Sequence, residues 1–310
     1  MEPAGDLDGD GVPDLWVGAS GDDDGEAQID VFFGPGAVYA VRLLKSGKVK
    51  AVTKISGLTP GLVLDARGGF GEAIAVVGDL YGDGTPDLVV GAPDDDAGGQ
   101  DRGAAYLLDL KLGGAVAGVQ RLGPGDGPLQ PEVANLGGFG SSVEGVGDMD
   151  GNGTPDFVIA AESEMAVGAF AGALFFYFND AGGPKFLRRI DGASPGFTSD
   201  APQSFDNFGS ALAAMGDVDG DGLDDLAVGA RGGGPNDSGA LWILRLGQDP
   251  DDLLQGATLV DGSQGFLELP LNADAGFGDS LAAVDDGDGN GVRDLVAAGV
   301  DDSAISKLRR

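Results

Sequence analysis

Five nine-residue stretches of this 310-residue chain set oxygen-bearing side chains at the same offsets. They read DLDGDGVPD from Asp6, DLYGDGTPD from Asp79, DMDGNGTPD from Asp148, DVDGDGLDD from Asp217 and DGDGNGVRD from Asp286. Positions one, three, five and nine hold Asp6, Asp8, Asp10 and Asp14 in the first loop, and Asp79, Tyr81, Asp83 and Asp87 in the second. The third has Asp148, Asp150, Asn152 and Asp156, the fourth Asp217, Asp219, Asp221 and Asp225, the fifth Asp286, Asp288, Asn290 and Asp294. Glycine fills positions four and six in every copy; it reaches the left-handed conformations that fold a short loop back on itself. Position seven (Val12, Thr85, Thr154, Leu223, Val292) would add its backbone carbonyl. Such all-oxygen sets suit a hard cation, and six or seven oxygens suit calcium better than magnesium, which demands a stricter octahedron. The chain has no Cys and no His, so softer metals are disfavoured.

The loop is not an EF-hand. That motif needs a glutamate at position twelve and flanking helices, whereas position twelve here is Val17, Val90, Ile159, Val228 or Ala297. The ninth-position Asp must close the site instead. The loops are unequal, and the second, with Tyr81 in place of an acid, is expected to be the weakest of about five calcium sites.

The loops are spaced by a repeat. The last four begin 69 residues apart and the first gap is 73, which signals a repeat architecture. A Phe-Gly pair precedes four of the loops (Phe70, Phe139, Phe208, Phe277), and a short apolar run leads from it to the loop. A second run starts at the last Asp, as in DLVVGAP from Asp87, and a third follows a polar turn, as in GALWILRL from Gly239. A fourth, less regular run ends near Leu122, Ile190 and Val260. Short apolar runs joined by Gly, Asp and Pro turns predict strands. One four-stranded sheet has two faces to cover, and packing sheets around an axis covers them. The fold class expected is therefore all-β, a propeller-like array of four-stranded antiparallel blades. Residues 70–138, 139–207 and 208–276 form complete blades. Residues 1–69 form a partial blade lacking strand one, and 277–310 a partial blade with only its first two strands, for seventeen strands in all. Each Phe should pack between blades, and Trp16 and Trp242 in the core.

Composition narrows the function. The formal net charge of −33 makes nucleic acid and anionic membrane surfaces poor partners. Lack of Cys and His removes thiol nucleophiles, Ser-His-Asp triads and the common zinc sites. The longest uncharged apolar stretch, residues 165–178, is too short to span a bilayer. The acid runs Asp22-Asp23-Asp24 and Asp94-Asp95-Asp96 fall in the turns between strands two and three, opposite the loops. They read as solvated turns, or as a secondary cation or cationic-partner site. Outside the loops, no pair of acids reads as having the apolar neighbourhood that would raise a pKa for catalysis.

The Phe-Gly pairs, the acidic loops and the Val90-Gly91-Ala92-Pro93 element together resemble FG-GAP repeats, which build the seven-bladed propeller of integrin alpha chains and related bacterial surface proteins. The resemblance implies calcium in the loops on one face of the propeller and partners on the opposite face. The chain departs from the pattern where Gly-Ala-Pro decays to Ala160-Ala161-Glu162 and Ala297-Ala298-Gly299, and in its short repeat count.

The function expected is a calcium-stabilised extracellular adhesion or recognition module with a protein or glycan ligand. The alternatives are a structural or fibre subunit that self-associates through its terminal blades, and a carboxylate-based glycoside hydrolase; the enzyme is the least favoured. Loops of this kind need calcium at the levels found outside cells. The chain shows no signal sequence and is expected to be a piece of a longer, secreted or surface-exposed precursor.

Overall fold

The computed structural model describes residues 1–24, 34–126, 131–165, 167–180, 182–197, 200–262, 271–273, 275–287 and 289–299. Eighteen strands and two three-residue 3-10 turns make up its regular structure. The first sheet contains β1 (Glu2–Gly5), β2 (Asp14–Ala19), β3 (Ala37–Leu43) and β4 (Val49–Ser56). The second contains β5 (Ile74–Gly78), β6 (Asp87–Ala92), β7 (Ala104–Lys111) and β8 (Ala115–Leu122). The third contains β9 (Phe139–Gly147), β10 (Asp156–Ala161), β11 (Ala173–Asp180) and β12 (Gly183–Ile190). The fourth contains β13 (Phe208–Gly216), β14 (Asp225–Ala230), β15 (Ala240–Leu246) and β16 (Leu254–Asp261). Strands β17 (Ser280–Val284) and β18 (Asp294–Ala298) form a two-stranded fifth sheet. Within each sheet sequential strands pair antiparallel.

The packing explains the strand sequences. Side chains alternate across a strand, so Leu88, Val90, Tyr106 and Leu108 of the second sheet turn toward the first, while Val89, Ala105 and Leu107 turn toward the third. A sheet covered on both faces leaves no polar side, and β6, β10 and β14 are buried at every residue. Each large apolar side chain so covered contributes about 1.5–3 kcal/mol. Strand four lies outermost and its pattern is mixed, as β8 shows.

The Phe-Gly pairs join neighbouring sheets. Phe70, Phe139 and Phe208 are fully buried and meet Tyr106, Phe175 and Trp242 edge to face at 5.4, 5.3 and 5.6 Å. Each also forms a parallel bridge to the preceding sheet, Phe70 to Gly36 and Phe139 to Gly103 among them. The glycines permit this approach: a Cβ on Gly91 would stand 1.9 Å from the Gly140 carbonyl oxygen. That contact ties the Gly-Ala-Pro element of one sheet to the Phe-Gly pair of the next.

First strands of successive sheets lie side by side. They surround a cavity of about 910 Å³ to which Glu2, Ile74, Glu144, Leu212 and Leu281, one from each sheet, contribute. The array is therefore propeller-like.

One expectation is corrected. The first unit does not lack strand one: Glu2–Gly5 pairs with β2, with a register shift between Pro3 and Gly5, which gives eighteen strands among the described residues instead of the seventeen expected. Backbone pairing asks for neither apolar alternation nor a Phe-Gly pair, and at a sheet edge even Pro3 is tolerated.

Candidate metal centres

The loops are built largely by their own backbone. The position-one carboxylate collects the N–H groups that follow it: in the first loop Gly9 and Asp10 donate to Asp6 Oδ1 at 2.8 and 3.0 Å, and Gly11 donates to Oδ2 at 2.7 Å. Asp217 in the fourth loop does the same for Gly220, Asp221 and Gly222, as does Asp286 in the fifth for Gly289, Asn290 and Gly291. Asp79 and Asp148 hold the N–H groups of positions five and six. Position five then accepts from the N–H of position seven: Val12 on Asp10, Thr85 on Asp83, Thr154 on Asn152, Leu223 on Asp221 and Val292 on Asn290, at 2.7–3.0 Å. Asp and Asn are interchangeable there because either offers the needed oxygen.

Position nine fastens the loop to the sheet. Asp14, Asp87, Asp156 and Asp225 are 1–2% exposed. One oxygen of each accepts the N–H of position two (Leu7, Leu80, Met149, Val218), all at 2.9 Å. The other accepts an N–H from the end of strand three (Leu43, Leu110, Asn179, Leu246) at 2.8–3.0 Å. Burial pushes the Asp156 carboxyl up to about 6, with Asp150 and Asp148 adding to the rise and the two N–H donors opposing it.

Among the described residues, three loops bring three carboxylates together with one oxygen from each within 4.8 Å of the others. These are Asp6, Asp8 and Asp10; Asp148, Asp150 and Asp156; Asp217, Asp219 and Asp225. In the third and fourth loops the ninth-position Asp is part of the set. In the first loop the fifth-position Asp stands there instead. The second loop has no such set, since Tyr81 is an exposed phenol. In the fifth, Asp288 lies outside the described residues. The donors fit a hard divalent cation: every group is a carboxylate, amide or carbonyl oxygen, and Asp8 Oδ1 is buried without a hydrogen-bond partner.

Residues 70–108 and 208–244 match the family model for the FG-GAP repeat. These two segments are FG-GAP repeats. Relatives of these FG-GAP units include integrin alpha-IIb of Homo sapiens, 29% identical over 297 residues, which cover 89% of this chain and 25% of that protein. Integrin alpha-PS2 of Drosophila melanogaster is 34% identical over 53% of this chain and 11% of its own length. Integrin alpha pat-2 of Caenorhabditis elegans is 42% identical over 31% of this chain and 8% of its own length. The chain thus spans a quarter or less of the length of these relatives. Among solved structures, rhamnogalacturonan lyase YesW aligns with 96% of this chain and 55% of its own, at 17% identity and a TM-score of 0.44. At that similarity neither fold nor activity transfers.

The far rim of the first three sheets carries a constellation that sequence reading missed. Three residues past strand two stands an acid, an aromatic follows on strand three, and a cation sits opposite it on strand four. Tyr39 donates to Asp22, and Lys54 lies 2.5 Å from Asp22 and 2.7 Å from Asp24. Tyr106 donates to the buried Asp95 at 2.9 Å, and Arg121 pairs with it at 2.7 Å. In the third sheet Glu164 pairs with Arg189 at 3.3 Å, and that guanidinium lies over Phe175. The two acid runs are thus partly neutralised from within. The cross-strand partners Tyr39–Lys54, Tyr106–Arg121 and Phe175–Arg189 become legible once the hairpin register is known.

Glu144 and Glu2 correct another expectation, that no pair of acids outside the loops has surroundings that raise a pKa: burial raises both. Glu144 lies on β9 beside the axial cavity. Burial first, and then the charge of Glu2, push its carboxyl up to about 8, against the opposing effects of the Gly145 N–H, Arg293 and the Ala214 N–H. In the unfolded chain this group ionises near 4.5. Between these values only the unfolded state loses the proton, so stability falls as pH rises across that window. Glu144→Gln removes the fall. At pH 8.5 the variant should be more stable than the wild-type chain by on the order of 3 kcal/mol, with little difference at pH 4.5. Urea melts at both pH values check this; equal pH slopes for the two proteins would refute it.

Proposed function

We propose that this chain is a calcium-stabilised recognition module acting outside the cell, which binds a protein or glycan partner and catalyses no reaction. The observation that carries this reading is the convergence of three carboxylates to within 4.8 Å in each of three loops, all at the same end of their sheets. The ligand sets are the oxygen positions named above together with the position-seven carbonyls. A bound divalent cation supplies the charge that offsets the repulsion among these carboxylates. The chain's own part is to hold the loops ready through position one and to transmit their order to strand three through position nine. The extracellular assignment rests on the modest affinity of such loops, which matches calcium outside cells, and on the integrin alpha relatives.

The non-enzymatic reading is supported by the internal pairing of many acids outside the loops. Glu162, for instance, is held by Arg231 at 2.8 Å, and Asp95 and Glu164 by Arg121 and Arg189. The test is binding of the immobilised chain to a panel of matrix glycoproteins and neutral polysaccharides, in about 1 mM calcium and in excess chelator. At least one binder retained only in calcium is the expected result. Polysaccharide turnover abolished by Glu144→Gln would replace recognition with catalysis.

A further inference from the structure

The loops differ in a way their own nine residues do not show. In the first, Lys50 from β4 reaches over the loop: its Nζ lies 2.9 Å from Asp8 Oδ2 and also contacts Asp10. In the second, Lys111 at the end of β7 contacts Asp83 and lies 2.8 Å from Asp109. That is the loop in which Tyr81 replaces an acid. In the third sheet the residue after the same strand position is Asp180, and it holds the nearby Lys185 at 2.5 Å, leaving that lysine paired on the hairpin. The fourth sheet has Gly247 and Gln255 at the corresponding places. Among the described residues, no lysine or arginine is ion-paired to an acid of the third or fourth loop.

We propose that Lys111 stands in for the cation in the second loop, which therefore holds no metal, and that Lys50 competes with the cation in the first. The third and fourth loops then fill first as calcium rises. This inference rests on the calcium reading above and assigns its distribution along the chain. An ammonium within 3 Å of two carboxylates already offsets part of the repulsion that draws a divalent ion into such a loop, and an incoming ion must displace it. The contrast is one of charge and reach: Lys50 arrives from strand four and Lys111 from strand three, and neither belongs to the nine-residue motif. One end of the array is thus closed by the protein's own cations and the other by an added one.

Hydrogen exchange of the full chain, read by mass spectrometry across a calcium titration, tests this with calcium alone as the probe. In the wild-type chain calcium should protect residues 148–156 and 217–225 and leave 79–87 unchanged. Lys50→Met should lower the calcium needed for half-protection of residues 6–14 by about tenfold. The double variant Lys111→Met/Tyr81→Asp should gain calcium-dependent protection at 79–87. Wild-type protection of 79–87 at the same calcium concentration as 217–225 overturns the proposal without need of any variant. An unchanged midpoint in Lys50→Met overturns its first-loop part. If no loop responds to calcium, the calcium reading itself fails, and this inference with it.

Discussion

Excess chelator should lower the melting temperature of this chain by about 5 °C relative to about 1 mM calcium. Two carboxylates about 4 Å apart repel by roughly 4 kcal/mol at an effective dielectric near 20, and three loops each hold three acids within that range. At a dissociation constant of about 0.1 mM and about 1 mM calcium, one filled site adds about 1.4 kcal/mol. The third and fourth loops alone then give about 3 kcal/mol, and the first, held about tenfold weaker by Lys50, adds only about 0.4 kcal/mol. A chain of this length has an unfolding entropy of roughly 0.65 kcal/mol/K, which converts about 3 kcal/mol to about 5 °C. The effect should be calcium-specific, with magnesium restoring much less of it. Thermal melts by circular dichroism in calcium, magnesium and chelator check this, and superimposable curves would reject it.

Asp156→Ala should destabilise the chain by about 4 kcal/mol. The side chain is buried and each of its oxygens accepts a backbone N–H, from Met149 at 2.9 Å and from Asn179 at 2.8 Å. Hydrogen bonds to a charged group contribute about 1.5–3 kcal/mol, and truncation leaves both buried donors unpaired. Asn179 also ties the loop to its neighbours: its carbonyl accepts from Asn152 at 2.8 Å and from Thr154 at 2.6 Å, and its side chain donates to Leu80 of the adjacent sheet. Loss of Asp156 should therefore loosen the third loop and its contact with the second sheet. Asp156→Asn keeps one acceptor but turns an NH₂ toward the other donor, and should cost about half as much. Urea unfolding in calcium and in chelator separates the two roles of the carboxylate. The cost that persists in chelator belongs to the hydrogen bonds, and the excess in calcium belongs to metal ligation. A loss below about 1 kcal/mol in both conditions would show that position nine does not fasten the loop.

Much of this was legible without the structure, because the motif is local. Asp6 folds its loop through N–H groups three to five residues ahead, and Gly9 and Gly11 take up left-handed backbone there. Such a loop is specified within its own nine residues, so its identity survives in any sequence that repeats it. The strands were legible for a related reason: β6, β10 and β14 lie between two sheets and must be apolar throughout. The first strand of the first unit was not, since Glu-Pro-Ala-Gly pairs through backbone alone.

The sequence by itself therefore determined the repeat, the sheet-forming segments and the oxygen sets of the loops. What only the tertiary structure decided is how each charge is balanced. Lys50 meets Asp10 from 40 positions away, Lys111 meets Asp83 from 28, and Arg121 meets Asp95 from 26. Glu144 owes its raised pKa to burial beside the axial cavity and to Glu2, from a different sheet. The reason is one of range. The hydrogen bonds within a loop and its backbone torsions are settled between near neighbours in the chain, while the partner of a side-chain charge is set by hairpin register and by which sheet packs against which.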